Sequence, residues 1–159
     1  MPQGYVKPAN AIIADVEGLV SHEYEVGANA TAVKMLPGIA VIYDTVDYAV
    51  KEAGAKAEVV IGILDVAPAM LRSGHYAVAD ECRIIEKGKC VVLLKAGGAA
   101  VTPGVALVTA ADGYLEKQAV GALGTQGAVV AYALESVNPV AASFCLAKVV
   151  NQREAAAAA

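Results

Sequence analysis

Leu36-Pro37-Gly38-Ile39-Ala40-Val41-Ile42-Tyr43 and Thr102-Pro103-Gly104-Val105-Ala106-Leu107-Val108-Thr109 are two versions of one phrase. Each opens on a Pro-Gly pair and runs into an apolar, β-prone stretch. Proline fixes φ and glycine accepts φ > 0, so together they supply the two central residues of a type II turn. The match continues in register, with Tyr48 falling on Tyr114 and Lys51 on Lys117. After a small insertion, Gly62-Ile63-Leu64-Asp65-Val66 faces Ala133-Leu134-Glu135-Ser136-Val137. Each copy reads as a short strand, a Pro-Gly turn, an apolar strand, a polar turn, a Tyr-bearing strand and a longer apolar strand. Two copies are too few for a solenoid. They predict a mainly β fold, a compact β-barrel or sandwich made from a duplicated β-meander.

Between the copies, Tyr76 to Ile85 and Cys90 to Leu94 flank Glu86-Lys87-Gly88-Lys89, a pattern that predicts a hairpin. Val91 to Leu94 are apolar at consecutive positions, so both faces of that strand should be covered. Val129 to Leu134 and Phe144 to Val150 read as closing strands. Asp44 to Gly54 has the cap and stop of a short helix, but the repeat argues for a strand, because its partner carries Asp112-Gly113 before the matched Tyr. Ala67 to Gly74 has the form of one helical turn. These readings give an N-terminal arm over residues 1–26, a single β domain over 27–150 holding the repeats 36–66 and 102–137, and a tail over 151–159 that ends in five alanines. The arm carries two β-prone stretches, Ala11 to Ala14 and Gly18 to Val20, suited to an edge strand of its own core or to pairing with a neighbouring molecule.

Composition narrows the function. Apolar residues make up 57% of the 159, with no Trp, one Phe and seven Tyr. Ala, Val, Ile and Leu therefore fill the interior, and tyrosine, apolar in body and polar at its tip, suits rims and contact surfaces. The net charge is −4 and no two Lys or Arg are adjacent, which argues against nucleic-acid binding. No apolar run approaches the roughly 20 residues of a membrane helix, so no membrane partner is expected. Cys82, Cys90 and Cys145 are odd in number and lack short paired spacings, which speaks against a disulfide framework and for synthesis in a reducing cytoplasm.

The search for chemistry ends without a catalytic centre. His22 and His75 are the only imidazoles, and their serine neighbours Ser21 and Ser73 lie too close in sequence for triad geometry. His75 with Cys82 and Cys90 lacks zinc-site spacing. The acids are scattered from Asp15 to Glu135, and a Trp-free chain makes a poor sugar-stacking cleft. No phosphate-binding glycine motif is present, and no cofactor or metal is expected. Two alternatives stand beside a structural role: a small-molecule or carbohydrate-binding β module, and a small barrel hydrolase or lyase using His75 with Asp80 or Glu81.

Val91-Val92-Leu93-Leu94-Lys95-Ala96-Gly97-Gly98-Ala99-Ala100-Val101-Thr102-Pro103-Gly104, continuing through Ala111-Asp112-Gly113-Tyr114, resembles the capsid cement, or head decoration, proteins of tailed viruses. Their pattern is a strand ending in K-A-G-G-x-V-T-x-G, an apolar strand, D-A-D-G with a charged turn, and a later G-x-A-L-E strand. The last is matched here by Val130-Ala131-Tyr132-Ala133-Leu134-Glu135, with Ala131 where the family often has Gly. The likeness spans about residues 58–150 and is clearest over 91–135; the long leader has no counterpart in it. It implies a virion protein of the outer capsid surface, made in the host cytoplasm and without enzyme activity. Its implied partners are the major capsid protein and itself, as a homotrimer. Contact residues expected on this reading are Tyr5, Ile12, Ile13, Leu19, Val20, Tyr24, Tyr48 and Tyr114, with Tyr5 and Tyr24 as anchors of the arm.

Overall fold

The computed structural model describes residues 20–54, 59–65, 74–119 and 129–150. The expected helical turn at 67–74 falls almost wholly outside them, as do Tyr5, Ile12, Ile13 and Leu19. Among the described residues, nine strands form in chain order: β1 (Val20–Val26), β2 (Ala40–Tyr43), β3 (Ala49–Glu52), β4 (Gly62–Leu64), β5 (Glu81–Leu94), β6 (Ala106–Thr109), β7 (Leu115–Lys117), β8 (Ala131–Ala133) and β9 (Ser143–Val149). The strands at β3, β8 and β9 lie where the repeat and the apolar runs place them. Among the described residues no helix is long and apolar enough to cross a membrane.

The strands close two rings that share β5. The first runs β1–β3–β2–β4–β5 and back to β1, and the second runs β5–β7–β6–β8–β9 and back to β5. In each ring one contact is parallel and the rest antiparallel: Val26 stands beside Val50 in the first, Leu94 beside Leu115 in the second. The β-barrel expected from the duplication is therefore present, and each copy of the repeat has its own five-stranded closure. The pairing also extends the repeat beyond its legible part. Tyr24 faces Cys82 as Val92 faces Cys145, so β1 corresponds to the second half of β5, and the first half of β5 to β9.

β5 corrects one expectation. Residues 86–89 make no hairpin; the chain runs straight through 14 residues. A hairpin would pair the two halves with each other, but each finds a separate antiparallel partner, β1 for the first half and β9 for the second. Burial alternates through the segment, with Lys87 and Lys89 exposed and Gly88 and Cys90 buried. Gly88, at φ 114°, marks the handover between partners, a backbone region that glycine enters without steric cost. Residues 20–26 likewise belong to the body and not to an arm, because β1 is paired on both sides, to β3 and β5.

Val26, Val41, Val50, Leu64, Cys82 and Ile84 form the core of the first ring together with Met35, Ile39 and the wholly buried Tyr76. The second ring is filled by smaller side chains, among them Ala131, Ala133, Cys145 and Ala147, around Val92, Leu94, Leu107 and Leu115. Consecutive burial over Val91 to Leu94 follows from β5 standing between two cores. Val91, Val92 and Leu94 share a cluster that takes in the second ring together with Ala40, Ile63 and Ile85 of the first, whereas Leu93 joins the other first-ring cluster. The two rings also meet at Gly113, where an added Cβ would stand 2.6 Å from the Ala40 carbonyl oxygen. An ion pair from Lys34 to Asp112, at 2.8 Å, crosses between the two copies.

Candidate functional site

The inward faces of β1, β2 and β5 end at one mouth of the first ring, and there the apolar pattern gives way. Tyr24, Tyr43, His22 and Glu86 continue the rows that hold Val26, Val41 and Ile84 deeper in. Tyr24 is half-buried and donates its hydroxyl to Glu86 Oε1 at 3.3 Å. His22 Nδ1 contacts the other oxygen of the same carboxylate. The Tyr24 and Tyr43 rings stand 6.1 Å apart between centroids, tilted by 60°. Burial, a hydrogen bond with Tyr43 and the nearby Glu86 charge together push the Tyr24 hydroxyl well above the ordinary tyrosine range.

The loop between β2 and β3 forms the other wall. Together with Tyr24 and Tyr43, residues 44–48 line a concavity of about 530 Å³. Tyr43 is 47% exposed, Val46 67% and Tyr48 75%. Such adjacent water-facing apolar area is what contact surfaces are made of. Asp44 braces the loop: its carboxylate accepts from Asn29 N at 3.0 Å, Asn29 Nδ2 at 2.7 Å and Thr45 N at 2.7 Å. Burial raises the Asp44 pKa, but the hydrogen bonds from Asn29 and Thr45 outweigh it, so the carboxyl titrates below its usual range. The backbone closes with Asp44 N to Ala49 O at 2.8 Å and Glu25 N to Tyr48 O at 2.8 Å. Tyr48 itself sits at φ 60°, an uncommon conformation for a bulky side chain.

The expected contact residues separate in space. Tyr24 and Tyr48 share the concavity. Val20, 42% exposed, begins β1 opposite Lys87. Tyr114 packs against the first-ring core and so belongs to the joint between the rings. Tyr43, Asp44, Asp47 and Glu86 were not singled out from sequence. The signal for Tyr43 lay in the repeat itself, where Tyr43 stands against Thr109.

The residues named for the hydrolase alternative lie between β4 and the start of β5. His75 Nδ1 lies 3.0 Å from the Tyr76 carbonyl oxygen, and the Asp80 carboxylate accepts from the Ala77 N–H at 2.8 Å. Glu81 is exposed at the start of β5. Cys82, Cys90 and Cys145 are free and buried. Burial, with Asp80 nearby, pushes the Cys82 thiol up to about 12, and burial raises Cys90 as well. Thiols so placed pack as small apolar side chains. Among the described residues, no group of three or more His, Cys, Asp or Glu side chains is placed to hold a metal ion.

Fold and surface together define a double β-barrel with an aromatic, acidic mouth on one ring. No family model matches the chain, and no curated protein does. Among solved structures it is similar to the N base of the head fiber of bacteriophage phi29, at 16% identity and a TM-score of 0.48, over 84% of this chain and 95% of that one. At that identity and superposition the likeness carries no weight for function.

Proposed function

We propose that the chain is a non-enzymatic structural protein of a tailed-virus particle, seated on the outer surface of an icosahedral head and tying adjacent major capsid proteins together. The observation that carries this reading is the exposed Tyr43, Val46 and Tyr48 surface on a closed, rigid double barrel. A protein that holds neighbours together needs a stiff body and an amphipathic contact face, and tyrosine is enriched in such faces. The cement-like stretch 91–135 supports it from the other ring, covering the second half of β5 through β8 in unbroken order. Among the described residues every strand is paired on both sides, which favours attachment through side chains over strand addition to the barrels. Contact falls instead to the aromatic mouth and to residues 1–19, which hold Tyr5, Ile12, Ile13 and Leu19. Self-association as a trimer belongs to the same reading.

Purified heads lacking the protein, incubated with it and sedimented, test the proposal. The full chain is expected to co-sediment at a fixed ratio to the major capsid protein. Deletion of residues 1–18, which leaves β1 whole, is expected to lower occupancy at least tenfold while the far-ultraviolet spectrum stays β-type. Absence of co-sedimentation by the full chain overturns the proposal. Undiminished attachment by the truncated chain removes the arm from it.

A further inference from the structure

The repeat supplies an internal control for the aromatic mouth. Strand pairing equates Tyr24 with Val92 and Tyr43 with Thr109, and both second-ring residues are buried. The connecting turn is also one residue longer in the first ring, since Tyr43 pairs with Val50 but Thr109 with Leu115. The same five-stranded closure therefore forms with Val and Thr in the places of Tyr24 and Tyr43, and the tyrosine of its own turn, Tyr114, is packed against the first-ring core instead of lining a mouth. What Tyr24 and Tyr43 add is a concavity with phenol faces on its walls and the carboxylates of Asp44, Asp47 and Glu86 at or beside its rim. Phenol faces and carboxylates attract the same kind of group, a cation carried on an apolar stem.

We infer that this groove seats an arginine side chain presented by an extended segment of a partner protein. A guanidinium is planar and weakly hydrated. It stacks on a tyrosine ring while its N–H fork donates to a carboxylate, and lysine's point charge does only the second. The Asp44 clamp and the backbone bonds of the 44–48 loop hold the wall in place before binding, which lowers the ordering cost. The chain's net charge of −4 favours the approach of a basic segment. This inference deepens the particle reading by naming the chemistry of the contact, and the partner's identity rests on that reading.

The test titrates the full chain with acetyl-Gly-Arg-Gly-amide and with its citrulline counterpart, followed by amide resonances. Citrulline keeps the shape of arginine and removes its charge. The arginine peptide is expected to shift Tyr24 and residues 43–48 and to saturate, with the citrulline peptide binding about tenfold more weakly. Tyr43→Thr installs the second ring's own residue, and Tyr48→Asn keeps a side chain that tolerates the left-handed φ. Each is expected to weaken binding about fivefold, with core resonances unmoved. Equal shifts from both peptides, shifts away from the mouth, or variants that bind as the parent does would each overturn the inference. Head attachment is scored separately. If the peptide binds but the protein does not attach, the particle reading fails and the groove stands; attachment without peptide binding leaves the reverse.

Discussion

The two Pro-Gly turns make the sharpest comparison within the molecule. Gly38 and Gly104 have nearly the same backbone, at φ 90° and 88°, and each donates its N–H to the end of the next strand but one in its own ring, at Leu64 and Ala133. Their surroundings differ completely. Gly38 is buried and accepts from Leu93 N at 2.9 Å, so the first copy's turn is seated on β5 where the two rings join. Gly104 has open space where a side chain would stand. The turn is thus one piece of local chemistry used twice, once as an internal joint and once as a free corner. Duplication produced two closures, and packing one on the other left each copy with a different half of its surface to spend elsewhere.

Alanine at the two glycines breaks or sharpens this comparison most strongly. Gly104→Ala meets only the backbone penalty of a left-handed residue, about 1–2 kcal/mol. Gly38→Ala meets the same penalty and in addition places a Cβ 2.8 Å from Leu93 N, with no flexible atom to move aside. Overpacking of that kind adds about 1–3 kcal/mol, for a total of about 4. Urea denaturation of the two variants measures the difference. Equal costs would mean that the joint at β5 relaxes and that the turns are not distinguished by their setting.

A second difference lies in the link between the last two strands of each ring. In the first ring it carries Tyr76, wholly buried, whose hydroxyl donates to the Asp65 carbonyl oxygen at 2.6 Å. Asp65 is itself buried and paired with Arg83, so this side of the ring rests on a polar network under an apolar lid. The corresponding link of the second ring, residues 134–142, contains no tyrosine. Tyr76→Phe keeps the ring and removes the hydroxyl that donates to the Asp65 carbonyl oxygen, a loss of about 1–2 kcal/mol. A shift in the urea midpoint without a change in slope is the expected reading. A neutral Tyr76→Phe would show that the network is solvated and not structural.

Sequence reading found the duplication because Pro, Gly and the apolar strand between turns are local signals. It placed β2, β3 and β6 to β9 for the same reason. It shortened the repeat because β1 and the two halves of β5 match only through their partners: Tyr24 and Val92, or Cys82 and Cys145, share a ring position and little surrounding chemistry. It broke β5 at Glu86-Lys87-Gly88-Lys89 because turn residues look alike whether the chain reverses or passes from one partner to another. The aromatic mouth was half legible. Tyr24 and Tyr48 stood out as tyrosines, but the mouth depends on β1 bringing Tyr24 against both Tyr43 of β2 and Glu86 of β5, from distant parts of the chain. Asp44 read as a helix cap, and its actual clients, Asn29 and Thr45, belong to a loop contact that no local pattern announces.

Asp44 also gives the smallest effect by which the rings are told apart. Ala110 occupies its place in the second ring, so the turn there has no carboxylate clamp. The Asp44 carboxyl has a folded pKa below its unfolded value of about 3.9. Its stabilising contribution is therefore fully present above that value and is lost as pH falls through the lower, folded pKa. Protonation removes acceptor capacity from the two Asn29 bonds and the Thr45 bond, and the 44–48 wall should loosen while the barrel stays closed. In a titration from pH 6 to 2.5, amide resonances of Asn29, Thr45 and Tyr48 are expected to move together, with exchange protection falling at Asp44 and Ala49. In the second ring the exchange protection of the Ala110 N–H, bonded to the Tyr114 carbonyl oxygen at 2.6 Å, should hold over that range, whatever the Lys34–Asp112 pair does to chemical shifts nearby. Equal loss of protection at Asp44 and Ala110 would locate the acid response in the shared strand β5 instead, and would take the clamp away as the reason that the first ring can keep an open aromatic mouth.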